Sequence, residues 1–176
     1  DVRLNDTNGG SFRTFICRKG ERKVQDSVFV LRKQEEELGL KNKEIYEQFA
    51  NRIKNIADTI HEFIEKEVEQ GKTVYTIAAS TRGNTLLQYC RLDNRLVKGA
   101  MERNSEKFGK VIASVGIPIV SEEKTMKENP SLLLVLPWFF ETQFRDRYKE
   151  YLEKGGIMLF PLPYPKLVTK DGEANL

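Results

Sequence analysis

Cysteine and histidine are scarce, with two of the first and one of the second in 176 residues. Cys17 and Cys90 form no Cys-x-x-Cys pair and have no histidine at ligand spacing, which argues against a zinc site. No apolar run is long enough to span a bilayer, so no transmembrane helix is expected. A basic-then-apolar amino terminus of the signal-peptide type is also missing, and the expected setting is a reducing cytoplasm with both thiols free. Charge of one sign is not in surplus: 29 basic residues face 26 acidic ones, for a net charge of +3. The two signs interleave, as in Arg32-Lys33-Gln34-Glu35-Glu36-Glu37, so no electropositive footprint for nucleic acid is formed. Internal repeats are absent. The lone His61 sits beside an apolar stripe with no carboxylate constellation, which fits a surface or boundary residue better than a catalytic base.

What remains is ordinary for a globular domain: 39% hydrophobic and 31% charged residues, in a chain long enough for one good core. Ser11–Cys17 alternates polar and apolar residues and reads as a strand after the Asn8-Gly9-Gly10 turn, with no hairpin partner nearby. Val24–Leu38 reads as a helix stopped at Gly39. A longer helix is predicted from about Lys43 to Glu69, with Ile45, Phe49, Ile53, Ile56, Ile60, Ile64 and Val68 on one face. From residue 72 strands and helices alternate. Strands are predicted at Thr73–Ala78, Leu96–Met101, Ile117–Val120, Ser131–Leu136 and Ile157–Phe160. Helices are predicted at Asn84–Cys90, after the Ser121 N-cap, and over Phe140–Glu153. Such alternation argues for a parallel sheet with right-handed crossovers. The fold class is therefore α/β: a Rossmann-like parallel sheet with flanking helices, preceded by a lone N-terminal strand and two helices. The tail after Pro161-Leu162-Pro163-Tyr164-Pro165 reads as polar and frayed.

The most informative stretch is residues 75–90. A β-favouring run breaks into a small polar loop and resumes as an amphipathic helix. A helix start at the carboxyl end of a strand offers unpaired N–H groups and a favourable dipole to an anion. Ser80, Thr81, Arg82, Gly83 and Asn84 are the leading candidate site, against an ordinary capped turn. Glu102, 20 residues beyond Arg82, stands where dinucleotide folds place a carboxylate on a ribose hydroxyl. Arg103 and Asn104 accompany it, and a solvent-exposed turn is the alternative. Lys107 could pair with a phosphate or with solvent. Trp138 could stack on a base, or pack against a facing domain. A G-x-G-x-x-G fingerprint is missing, which disfavours a nicotinamide-binding redox domain.

Several ordered strings resemble the C-terminal domain of the S-adenosylmethionine-dependent sugar-nucleotide C-methyltransferases. They are Ala79-Ser80-Thr81-Arg82-Gly83-Asn84-Thr85-Leu86-Leu87-Gln88-Tyr89, Glu102-Arg103-Asn104-Ser105-Glu106-Lys107-Phe108-Gly109, Ile117-Pro118-Ile119-Val120-Ser121-Glu122-Glu123, Leu134-Val135-Leu136-Pro137-Trp138-Phe139 and Tyr148-Lys149-Glu150-Tyr151-Leu152-Glu153-Lys154-Gly155-Gly156. Asn8-Gly9-Gly10-Ser11-Phe12-Arg13 is similar to the segment that closes the family's middle domain. The resemblance implies three parts: residues 1–20 as a boundary strand of a missing middle domain, 21–71 as a helical lead-in packed on the following domain, and 72–176 as the Rossmann-like C-terminal domain. It also implies a nucleotide-linked sugar as the ligand. The methyl donor S-adenosylmethionine and the catalytic groups would belong to the missing methyltransferase domain, with no cofactor, metal or catalytic residue on this chain.

Three positions depart from the family pattern. Ala78 stands where glycine is usual, Gly116 replaces a histidine in a Thr-His-Ile-Pro string, and Phe139 replaces the histidine after Trp138. These changes lower the polarity of the cleft. They favour the alternative reading, a non-catalytic docking or dimerisation module of a methyltransferase.

Overall fold

The computed structural model describes residues 1–176, which divide into two compact units, 1–52 and 53–176. In the first, β1 (Val2–Asn5) pairs antiparallel with β2 (Ser11–Thr14), Val2 opposite Thr14 and Asn5 opposite Ser11. The connecting turn needs left-handed backbone at Asn8, Gly9 and Gly10. The second strand is therefore not alone: its partner is a four-residue segment at the start of the chain, too short to show an alternating pattern. Helix α1 (Asp26–Glu37) follows, and Ser27 ties it to the hairpin by donating to the Asp1 carboxylate at 3.0 Å. No residue in 1–52 is buried within the chain.

Helix α2 (Lys43–Glu69) runs on into the second unit. There its stripe does what the spacing requires: Ala57, Ile60 and Ile64 are buried in the core, with Ile56, Phe63 and Val68 packed beside them. It closes on Gly71, left-handed at φ +79°, as Lys72 N–H donates to the Glu67 carbonyl at 3.0 Å.

The sheet is built from β3 (Val74–Ile77), β4 (Gly99–Glu102), β5 (Val111–Ile112), β6 (Ile117–Ser121), β7 (Leu132–Val135), β8 (Ile157–Phe160), β9 (Lys166–Thr169) and β10 (Gly172–Asn175). Their spatial order is β10-β9-β8-β7-β3-β4-β6-β5. The five inner strands from β8 to β6 are mutually parallel, and β9, β10 and β5 add antiparallel margins. Helix α3 (Thr81–Tyr89) joins α2 on one face, over Val74, Leu132, Leu134 and Leu159. On the other lie α4 (Glu122–Lys127), α5 (Glu141–Arg147) and α6 (Lys149–Glu153), and the buried residues Tyr148, Tyr151 and Leu152 pack with Tyr75, Leu133, Val135 and Phe160. Cover on both faces explains why β7 is an unbroken apolar run rather than an alternating one.

Two expectations need correction beyond the paired hairpin. The helix predicted over Phe140–Glu153 is two helices, broken at Tyr148 (φ −103°, ψ 21°). The break turns the Tyr148 ring into the core, where it stacks on Phe144 at 6.3 Å. It also lets the Tyr151 hydroxyl donate to the Ile157 carbonyl and accept from the Ile157 N–H, at 3.0 and 3.1 Å. The tail is not frayed: β9 and β10 form a hairpin on the sheet edge. Fully buried Val168 lies opposite Met158, and Lys166 bridges Glu141 and Glu173 at 2.8 and 3.0 Å.

Candidate functional site

The chain leaves β3 for β4 on one side, and β7 returns on the other, so β3 and β7 flank the point where strand order reverses. Ile77 and Val135, at their carboxyl ends, are register partners. The crevice beyond such a pair is where open α/β sheets receive ligands. Two loops meet there: Ala78–Ser80 leading into α3, and Leu136–Phe140 leading into α5.

The first loop is made by an unusual backbone. Ala78 is left-handed at φ +71°, and its N–H donates to the Met101 carbonyl at 2.9 Å. Ser80 is extended and caps α3, its hydroxyl accepting from the Gly83 N–H at 3.2 Å. Capping leaves the N–H groups of Thr81 and Arg82 without intrahelical acceptors. Gly83 serves packing: a Cβ there would come within 2.6 Å of Leu136 Cδ1. Asn84 Oδ1 is shielded from solvent and accepts no hydrogen bond from the protein. The Arg82 guanidinium lies 5.2 Å from the centroid of the Phe139 ring. Trp138 meets Phe139 edge-to-face at 5.6 Å, within the short 3₁₀ turn Trp138–Phe140.

Arg82 and Trp138 open onto a cavity of about 410 Å³ between α2 and α3. Its walls are Ile53, Ile56 and Ala57 of α2, Leu86 and Tyr89 of α3, and Leu136, Phe139 and Leu162 from the strand ends. Arg82 is the one charged residue among its lining groups. Of the nine candidate residues, Ser80–Asn84 and Trp138 thus gather at the reversal point. The α2 wall escaped sequence reasoning, because an isoleucine facing a cavity has the same spacing as one facing core.

Glu102, Arg103 and Asn104 lie one strand away and are differently engaged. Glu102 Oε2 accepts from Lys107 Nζ at 2.8 Å, and Oε1 from the N–H groups of Arg103 and Asn104 at 2.9 and 3.2 Å. Burial works against the charged carboxylate, but Lys107 and the two N–H groups outweigh it and hold its pKa below the usual range. Asn104 caps the next 3₁₀ turn by accepting from the Glu106 N–H at 3.0 Å. Arg103 is exposed and lines a charged cleft on the opposite face with Glu122 and Arg147. Lys107 also donates to the Ala79 carbonyl at 3.2 Å, joining the loops after β3 and β4. Cys90, at the end of α3, is a buried thiol whose pKa burial pushes up to about 11, which makes it a poor nucleophile.

This architecture has a match over most of its length: residues 6–163 fit the family described as the C-methyltransferase C-terminal domain, and the chain belongs to that family. Among curated relatives it is similar to the C-methyltransferase NovU of Streptomyces niveus, at 30% identity over 172 residues. That alignment covers 97% of this chain and 41% of the relative, so the chain spans about two fifths of the relative's length.

Proposed function

We propose that this chain is the substrate-binding, C-terminal part of an S-adenosylmethionine-dependent sugar C-methyltransferase, and that it grips a nucleotide-linked sugar at the ends of β3 and β7. The observation that carries this reading is Arg82, without a carboxylate partner, held over Phe139 at the first turn of a helix whose leading N–H groups are free. Membership of a C-methyltransferase family supplies the reaction class. Methyl transfer is assigned to a methyltransferase domain outside residues 1–176. The left-handed Ala78 and the Leu136-packed Gly83 do not fit a loop made to cradle a methyl donor, so no residue here is given that task. The domain's contribution is proximity: fixing the unreactive nucleotide holds the sugar carbon near the methyl group. Calorimetric titration of the chain with a thymidine-diphosphate sugar tests this. Saturable binding that Arg82→Ala weakens at least ~10-fold is expected. Absence of heat, or an unaffected variant, would contradict it.

A second reading, a docking module for the methyltransferase domain or for a dimer, is favoured by one observation. Residues 1–52 leave Leu4, Phe12, Ile16, Phe29, Val30 and Leu38 largely exposed within the chain. Exposed apolar area on that scale marks an interaction surface. Sedimentation of the chain alone and with a separately expressed methyltransferase domain separates the readings. Tight assembly with no nucleotide binding would favour docking.

A further inference from the structure

In a dinucleotide fold a carboxylate at the end of the second strand accepts from the ribose hydroxyls. Here the corresponding Glu102 has both oxygens committed, one to Lys107 and the other to two backbone N–H groups. A hydroxyl could bind there only by displacing a charge-assisted bond of 2.8 Å from a side chain that also holds the neighbouring loop. On the other side of α3 the conditions are reversed. The cavity of about 410 Å³ is apolar, open to the strand ends, and carries a single unpaired cation, Arg82. A pocket of that size with one convergent charge suits a flat apolar group bearing an anion.

We propose that the ligand lies wholly on the α2 side of α3: its ring enters the cavity against Leu86, Leu136 and Phe139, its anionic group meets Arg82, and Glu102 reads none of it. This rests on the nucleotide reading above and adds a specificity to it. The site does not distinguish a ribose from a 2′-deoxyribose, and the ring contributes affinity by burial rather than by hydrogen bonds to its edge, because the walls offer few donors or acceptors.

The test is calorimetric titration of the full chain with thymidine diphosphate, with 5-methyluridine diphosphate (the same base on ribose) and with inorganic pyrophosphate. The two nucleotides are expected to bind within about threefold of each other, and pyrophosphate at least ~10-fold more weakly, because it leaves the cavity empty. Leu86→Trp, which fills the cavity, is expected to weaken both nucleotides about tenfold and leave pyrophosphate unchanged, with the thermal transition checking that the variant folds. If the ribose form binds ~10-fold more tightly, Glu102 or a neighbour reads the hydroxyl; that result overturns this inference and leaves the nucleotide reading standing. If pyrophosphate binds as tightly as the nucleotides, the ring is not in the cavity and the inference is again overturned. If no nucleotide binds at millimolar concentration, the inference and the nucleotide reading fall together, and the cavity is left to a protein partner.

Discussion

Lys107 Nζ donates to the carbonyl of Ala79 at 3.2 Å, across 28 residues of sequence, while pairing with Glu102 at 2.8 Å. One ammonium thereby couples the loop after β3, which enters the candidate site, to the loop after β4. The lysine is partly exposed, so its Coulombic worth is modest and its effect is chiefly geometric.

Replacing Lys107 by Met keeps the stem and removes both bonds. The expected loss is about 1–2 kcal/mol, or a fall of a few degrees in the thermal midpoint. Hydrogen exchange in residues 78–82 should quicken by more than the global loss explains. A uniform increase across the chain would show that the coupling is not local.

Glu102 gives this coupling a pH dependence. Its folded pKa lies below the ordinary 4.5, so the stability it contributes is fully present above about pH 4.5 and is lost as pH falls through the folded value. Acid unfolding followed by circular dichroism should therefore show a shallower decline below pH 4.5 in Glu102→Gln than in the parent. Parallel curves would remove Glu102 from the acid limb.

Ala78 holds a left-handed φ of +71° with a side chain that resists it. Glycine adopts that backbone without the methyl's steric cost, so Ala78→Gly should raise stability by up to about 1 kcal/mol in urea titration. A loss of that size would mean that packing of the methyl outweighs the strain.

Gly83 is the opposite case. A Cβ would stand 2.6 Å from Leu136 Cδ1 and 3.2 Å from Leu136 Cβ, so Gly83→Ala should cost about 1–3 kcal/mol. Combining it with Leu136→Ala should be less harmful than the two single costs added, because the smaller residue opens the space. Additive losses would show that the contact is relieved elsewhere.

Residue pattern foretold the inner sheet well, because strands covered on both faces leave unbroken apolar runs such as Leu132–Val135. It also foretold α2 to the residue, since isoleucine spacing, a first-turn Glu44 and a terminal Gly71 all agree. The break at Tyr148 was hidden because Phe144, Tyr148 and Leu152 keep helical spacing across it. The β9–β10 hairpin was hidden because its anchors, Lys166 and Glu173 with Arg145 and Glu141, are ordinary surface charges until the fold brings them together. At the site, the Ser80 cap and Arg82 were legible from local chemistry. The engagement of Glu102 by Lys107 and the α2 wall of the cavity were not, because both arise from tertiary contact.

The most direct measurement of the central claim is hydrogen–deuterium exchange of the chain, followed by mass spectrometry, with and without a thymidine-diphosphate sugar. Protection is expected in segments covering residues 79–90 and 136–140, the two loops that meet beyond β3 and β7 and the α3 wall of the cavity. Ligand-dependent protection confined to residues 102–109, or none at saturating ligand, would contradict the account.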